Sequence, residues 1–317
     1  MKMDEDKLLV RVAEMYYQED KKQSEIAKEL NIHRTTISRL LKRSREEGIV
    51  NITINYDFSG TYQLESQLEE RFGLTKAIIV PAAIDMKTEQ KNVVLANAVN
   101  DYLPTIIKDN MMVGFSWGKT MAAVANLLTE QAMEGVVCVP MIGGPSGRLS
   151  SDYHVNTITY EAAKKLKAKA LLIDSPAIPE TLTLKKALLE NEFNKELLKH
   201  WKNLDIAILG IGSPHLSPNE TWRQFYGDDV MELLRKEQVI GDVVSRFYNA
   251  EGQHVNSDLD ERIIGIDPKD LQNTKIRIGV AEGIEKAGSI YGALLGKYIN
   301  VLITTEETAK EVLYIAK

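Results

Sequence analysis

Seven short β-branched runs, separated by longer segments of helical composition, constrain this chain more tightly than any other feature. AIIVPA from Ala77, MMVGF from Met111, VVCVP from Val136, ALLID from Ala170, IAILGIG from Ile206, IRIGVA from Ile276 and NVLITT from Asn300 are too short for helices. Residues at about 89 to 108, 118 to 131, 156 to 168 and 286 to 298 have helix-like composition. Strands that alternate with helices pair in parallel, because the return crossover lays a helix on one face of the sheet. The expected architecture is therefore α/β, a doubly wound and largely parallel sheet within residues 56–317. In such sheets ligands bind beyond the carboxyl ends of the strands, where loops open into helix N-termini.

Residues 1–55 follow a different pattern. The stretch QSEIAKELNIHRTTISRLLKRSR, Gln23 to Arg45, has the spacing of two short helices crossing at a tight turn, a helix-turn-helix. Ala27 is small where the helices approach, Asn31 tolerates the left-handed turn conformation, and Ile26, Leu30, Ile37 and Leu40 form an apolar centre. Leu8, Leu9, Val12, Ala13 and Tyr16 have helical periodicity and supply a third helix. From Arg34 to Arg45 the second helix of the motif has no acidic residue. Its Arg34, Arg39, Lys42, Arg43 and Arg45 suit phosphate, and Thr35, Thr36 and Ser38 offer short hydrogen-bonding groups to base edges. The expected DNA-contacting set is Arg34, Thr35, Thr36, Ser38, Arg39, Lys42 and Arg43. Lys22 stands where Ser or Thr would complete a capping box with Glu25, a loss of ~1 kcal/mol. Ile49 to Ile54 alternates like a strand and is expected as a wing, Asn55 to Thr61 as a hinge, and Leu64, Leu68 and Phe72 as one face of a helix. That face packs on the main domain or pairs two subunits.

The chain has 317 residues and a net charge of −6. Residues 1 to 55 contain eleven Lys and Arg against ten Asp and Glu, which leaves −7 for the rest. Affinity for nucleic acid must then come from local clustering and from pairing of modules, since the whole-molecule charge opposes approach to phosphate. The single Cys138 lies in an apolar run and reads as a buried strand residue; no disulfide framework exists. No stretch approaches the ~20 apolar residues of a membrane span and no apolar signal core opens the chain, so a cytoplasmic location is expected. No cofactor and no metal site are expected.

Several loops have the placement of a ligand site. Gly114-Phe115-Ser116-Trp117-Gly118-Lys119-Thr120 follows a strand and opens a helix, so its backbone N–H groups, Ser116 and Thr120 can cradle a phosphate and Lys119 can add charge. The spacing is not that of a nucleotide P-loop. Loops at Gly143-Gly144, Gly210 to Ser213 and Gly283 to Lys286 converge on the same edge in this architecture.

A helix-turn-helix followed in order by GFSWGKT, GG, GIGSP, GDVVSRFYNAEG, RIIGI and AEGIEKAGSIYGALLGKYINVLIT resembles the SorC family of sugar-responsive bacterial regulators over nearly the whole chain. The resemblance implies an effector domain like the fold of glucosamine-6-phosphate deaminase and ribose-5-phosphate isomerase. It implies a homo-oligomer, a tetramer as a dimer of dimers, with operator DNA and a sugar phosphate as partners. It also implies that Ser116, Gly118, Lys119 and Thr120 form the phosphate-cradling turn, that Lys286 is a phosphate-binding lysine, and that Arg223 and Asp242 are polar ligand contacts. The expected effector-binding set is Ser116, Trp117, Gly118, Lys119, Thr120, Gly143, Gly144, Gly212, Arg223, Asp242, Glu282 and Lys286.

The expectation is thus a sugar-responsive DNA-binding transcriptional regulator, a repressor of a carbohydrate catabolic operon relieved by its ligand. The alternative class is a sugar-phosphate isomerase or deaminase with a DNA-targeting domain. In the deaminase-like pattern an acidic residue and Gly-His follow the GIG turn, whereas Ser213-Pro214-His215-Leu216 follow Gly212, so no catalytic residue is assigned. His154 and Asn156 are either ligand contacts or helix-start residues. Before Gly143, where the deoxyribonucleoside type of the family carries a Schiff-base lysine, stands Ile142, which has no amine; its side chain is expected to meet an uncharged part of the ligand.

Overall fold

The computed structural model describes residues 2–52, 60–83, 86–145, 149–214, 225–226 and 228–317. The chain divides into two compact units, Met1–Phe58 and Ser59–Lys317. In the first, α1 (Lys2–Tyr17), α2 (Gln23–Glu29) and α3 (Arg34–Glu46) enclose Leu9, Val12, Met15, Ile26, Ile37, Leu40 and Leu41. Asn31 turns the chain between α2 and α3 at φ 54°, the left-handed region that its short polar side chain tolerates. At the start of α2 half of a capping box survives, because the Glu25 carboxylate accepts from the Lys22 N–H at 2.9 Å; Lys22 has no acceptor to return. The wing strand is not seen where residues are described: Ile49 to Ile52 pair with nothing as a ladder, and Thr53 and Ile54 lie outside the described residues.

The second unit holds a sheet in the order β1 (Lys76–Val80), β9 (Val301–Thr305), β8 (Ile276–Val280), β5 (Ile206–Gly212), β2 (Met112–Phe115), β3 (Val137–Pro140), β4 (Lys169–Ala170), all parallel. Both faces are covered, so the strands are apolar on both sides and successive residues enter different cores. In β5, Ile206 and Ile208 pack with α5 (Thr88–Ile106), α6 (Lys119–Leu127) and α7 (Val155–Leu166). Ala207, Leu209 and Ile211 face the opposite layer, which includes Leu68 of α4 (Tyr62–Phe72), Leu197 and Trp201 of α9 (Glu192–Trp201), and Val312 of the last helix, Glu306–Ile315. The expected face of Leu64, Leu68 and Phe72 therefore packs on the main domain. Leu182–Glu190 forms α8. The chain runs outward from β2 through β3 to β4, then returns to β5 and continues the other way, which places the reversal between β2 and β5.

Two details depart from the pattern of runs. ALLID is strand only at its first residue, with Lys169 before it; beyond that the chain peels away, and the Asn156 side chain takes over pairing by bonding both the N–H and the C=O of Ile173. A short antiparallel hairpin of β6 (Gly241–Val243) and β7 (Arg246–Tyr248), not anticipated, extends from the end of β5. Cys138 is fully buried and its thiol is pushed up to about 12 by burial, so it is a core residue and not a nucleophile.

Candidate functional site

At the reversal between β2 and β5 the carboxyl ends of the strands enclose a cavity of about 120 Å³. One wall is the β2–α6 turn. Gly118 is the N-cap residue of α6 at φ 114°, a conformation that side chains avoid, and it lets the chain swing directly from strand to helix. Ser116 is almost fully buried; its N–H donates to the Ile208 carbonyl and its Oγ accepts from the Gly210 N–H at 3.1 Å, locking the turn to β5. The Gly118 N–H is taken by the Tyr153 carbonyl at 3.3 Å. The N–H groups of Lys119, Thr120 and Met121 begin α6 and have no protein acceptor among the described residues. With the helix dipole they give this turn an electrostatic character that favours an anion.

Opposite stand the loop after β8 and the β6–β7 hairpin. Lys286 precedes the helix Ala287–Leu295 and, like Lys119, makes no ion pair among the described residues. Glu282 is buried on the same wall; burial raises its carboxyl above the ordinary range, opposed by Lys286 and by Lys91, whose Nζ lies 3.7 Å away. Asp242 in β6 is buried and accepts from the Ser245 N–H at 2.9 Å. The two hairpin residues, Val244 and Ser245, both have positive φ, 52° and 60°, as the tight turn requires. A β-branched residue in this region is strained, and Val244 lines the cavity. Behind the hairpin, Arg246 holds the Ile266 and Gly265 carbonyls and the Asp260 carboxylate, so the strained turn has a rigid support. Trp117 packs on Phe225 at 4.7 Å between centroids and closes the cavity rim with an aromatic group, beside Tyr226, whose hydroxyl bonds Ser245 Oγ.

Of the expected effector set, Ser116, Trp117, Gly118, Lys119, Thr120, Gly212, Asp242, Glu282 and Lys286 line this one cavity. Gly143 and Gly144 do not. Neither position has room for a side chain: a Cβ on Gly143 would lie 2.5 Å from the Pro176 backbone, and one on Gly144 would lie 2.7 Å from His154 Nε2. Their N–H groups go to the Ile264 and Ser175 carbonyls. Ile142 is fully buried in the core and does not meet the cavity, so the expectation of an apolar contact to ligand there is overturned. His154 caps α7, its Nδ1 accepting from the Asn156 N–H at 3.1 Å, which decides for the helix-start role of both residues. Arg223 and His215 lie outside the described residues. Thr88 and Asn92 of α5, Met121, Val244 and Val280 also line the cavity and were not anticipated.

In the first unit, Arg34, Thr35, Ser38, Arg39 and Lys42 are exposed along α3, opposite the buried Ile37, Leu40, Leu41 and Ser44. Thr36 is half-buried, and Arg43 is tied to Glu47 at 2.6 Å. A helix that keeps one face for the core and presents an unbroken row of Arg, Lys and hydroxyl groups on the other has the surface that major-groove reading demands.

Residues 56–314 match the family model described as "Putative sugar-binding domain", and residues 5–51 match that of a homeodomain-like domain. The sorbitol operon regulator of Klebsiella pneumoniae is 41% identical over 97% of this chain and 98% of its own length. The deoxyribonucleoside regulator of Bacillus subtilis (strain 168) is 32% identical over 98% of each chain. The crystal structure of the full-length Klebsiella regulator superposes with a TM-score of 0.81 at 40% identity, covering 97% of this chain and 98% of that one. A matching domain order, a shared fold at a TM-score of 0.81 and whole-length identity above 30% carry one conclusion. This chain belongs to the SorC family of sugar-binding transcriptional regulators.

Proposed function

We propose that this protein is a sugar-phosphate-responsive transcriptional regulator of the cytoplasm that binds an operator through α3 and takes its effector in the cavity between β2 and β5. The observation that carries the reading is the composition of that cavity. Three first-turn N–H groups of α6 and two lysines, Lys119 and Lys286, which have no ion-pair partner among the described residues, face the carboxylates Asp242 and Glu282. The cationic part suits a phosphate, and the acceptor part suits sugar hydroxyls. The expected DNA set, Arg34, Thr35, Thr36, Ser38, Arg39, Lys42 and Arg43, and the effector set with Arg223 belong to this proposal; Gly143 and Gly144 shape the backbone instead. Symmetric pairing into a homo-oligomer, a tetramer as a dimer of dimers, would present modules to repeated half-sites. The sugar phosphate would relieve repression of a carbohydrate catabolic operon by binding one subunit arrangement more tightly than the other.

The enzyme reading, an isomerase or deaminase with a DNA-targeting domain, finds less support. Gly212 is followed by buried Ser213 and by Pro214, with no acid at the place the deaminase-like pattern requires. The site thus reads as one that holds a ligand unchanged.

One experiment tests both halves. Operator binding to the DNA upstream of the protein's own gene is followed while sugar monophosphates and the corresponding free sugars are added. The proposal expects a sugar monophosphate to change the affinity, Lys286→Ala to suppress that response, and Arg39→Ala to weaken binding in its absence. Response to free sugars alone, unaltered by Lys286→Ala, removes the phosphate assignment. Unchanged affinity after combined replacement of Arg34, Arg39 and Lys42 by Ala removes the α3 assignment.

A further inference from the structure

We infer that Asn92 and Thr120 act as a pair that reads one hydroxyl group of the effector, and that this pair sets which hydroxyl the protein requires. The inference rests on the cavity being the sugar-phosphate site, and it assigns the Thr120 hydroxyl, bonded to Asn92, to the sugar, leaving the backbone N–H groups of the α6 turn to the phosphate. Asn92 sits in the second turn of α5, is only 7% exposed, and lines the cavity. A buried side-chain amide ordinarily satisfies both its ends. Here the Thr120 hydroxyl donates to Asn92 Oδ1 at 2.9 Å, and the amide nitrogen has no partner among the described residues. That nitrogen is also absent from the fully enclosed unpaired polar atoms among the described residues, which are Thr159 Oγ1, Arg277 Nε and Thr304 Oγ1. It is therefore not fully enclosed, and the open space that Asn92 lines is the cavity.

The hydrogen-bond arithmetic then fixes what can sit there. Thr120 has one hydrogen, and it is committed to Asn92, so toward the cavity Thr120 Oγ1 only accepts. Asn92 Nδ2 only donates. Rotating the amide by half a turn exchanges the roles and leaves one donor and one acceptor all the same. A group that satisfies both at once must itself donate and accept, which a sugar hydroxyl does and a phosphate oxygen, an ether oxygen or a C–H does not. The pair is also held in place. Leu95, Ala96 and Val99 of α5 pack in one cluster with Met121 and Val124 of α6, so the distance between the two side chains is set by helix packing and not by loop position.

The test uses the full-length protein. The tightest binder of a panel of pentose, hexose and hexitol monophosphates is compared by calorimetry with each of its monodeoxy analogues, in the wild type, in Asn92→Leu and in Thr120→Val. The wild type is expected to lose at least tenfold in affinity for the analogue lacking the read hydroxyl. In both variants that one preference collapses toward a ratio of one while the preferences at other carbons persist. A side chain that merely supported the fold would shift all ligands alike. Because Thr120→Val preserves shape at a half-buried position, it decides the matter should Asn92→Leu fail to fold. Equal affinity of the wild type for every monodeoxy analogue, or variants that keep the full pattern of preferences, overturns the inference. Failure of the wild type to bind any sugar monophosphate while binding free sugars overturns the proposed function itself, and this inference with it.

Discussion

At the scale of single residues, the cavity holds groups that the folded state stabilises poorly when it has no ligand. Burial outweighs the pull of Lys286 and Lys91 and holds the Glu282 carboxyl above its ordinary 4.5. The folded carboxyl thus keeps its proton more tightly than the unfolded one, and ionising it opposes folding. That cost is absent below the ordinary value, grows as pH rises through the window between 4.5 and the raised value, and is constant above it. Glu282→Gln is expected to be more stable than the wild type at about pH 7 and equal to it at about pH 3.5, as measured by urea unfolding. A variant less stable at neutral pH would show that the pairing with Lys91 dominates instead. The sequence order already brings Ser116, Lys119 and Lys286 to loops at one sheet edge, and the fold places all three on the lining of one cavity. Gly143 and Gly144 lie off the cavity lining, and a glycine needed for close approach, to the Pro176 backbone at Gly143 and to the His154 ring at Gly144, looks the same in sequence as one needed for a ligand. Asn92 escaped notice because nothing in the composition of α5 marks which turn reaches the sheet edge.

At the scale of elements, α4 solves a problem that the strand pattern creates. β1 lies at the edge of the sheet, where its outward N–H groups are a template for pairing with another chain. Two carboxylates from α4 close it: Glu69 Oε1 accepts from the Ala77 N–H and Glu65 Oε1 from the Ile79 N–H, each at 2.9 Å. The spacing explains the residue choice, since side chains four apart on a helix rise about 6 Å and two residues of strand advance about 6.6 Å. Helix and strand therefore keep step over two bonds. Each charged hydrogen bond contributes about 1.5–3 kcal/mol before solvent screening, and Glu69 also lies near Lys76 Nζ, so the partly exposed pair is placed at the low end. Combined Glu65→Ala and Glu69→Ala should lower the denaturation midpoint and raise concentration-dependent aggregation of the unit Ser59–Lys317. Light scattering during heating checks the second part; a midpoint loss with no added association would make α4 a packing element only. The helix itself was readable from Leu64, Leu68 and Phe72. Its carboxylate contacts were not, because they depend on which strand ends at the edge, and that follows from a strand order no local pattern specifies. The hairpin β6–β7 was hidden for a related reason: its strands are three residues each, and its turn residues Val244 and Ser245 are not those that ordinarily announce such a turn.

At the scale of the whole molecule, two units with separate cores should answer separately to a ligand. The cores of Met1–Phe58 and Ser59–Lys317 share no residue, and every described side chain of the cavity belongs to the second. A ligand bound only by the folded form stabilises what must unfold to release it, by about 2.7 kcal/mol at 100 times its dissociation constant. The fragment 59–317 is therefore expected to show the same ligand-induced rise in melting temperature as the full-length chain, while a fragment of residues 1–58 shows none. The first unit has, among its described residues, a core cluster of seven buried apolar side chains and should melt by itself, so the full-length protein should depart from a single two-state transition when followed by calorimetry. Adding ligand should then move one component of the transition and leave the other in place. A ligand-dependent shift of both components by equal amounts would mean that folding of the helical unit is coupled to the effector cavity. In that case the response to sugar would reach DNA through the stability of the helix-turn-helix itself, and the arrangement of subunits would not be needed to explain it.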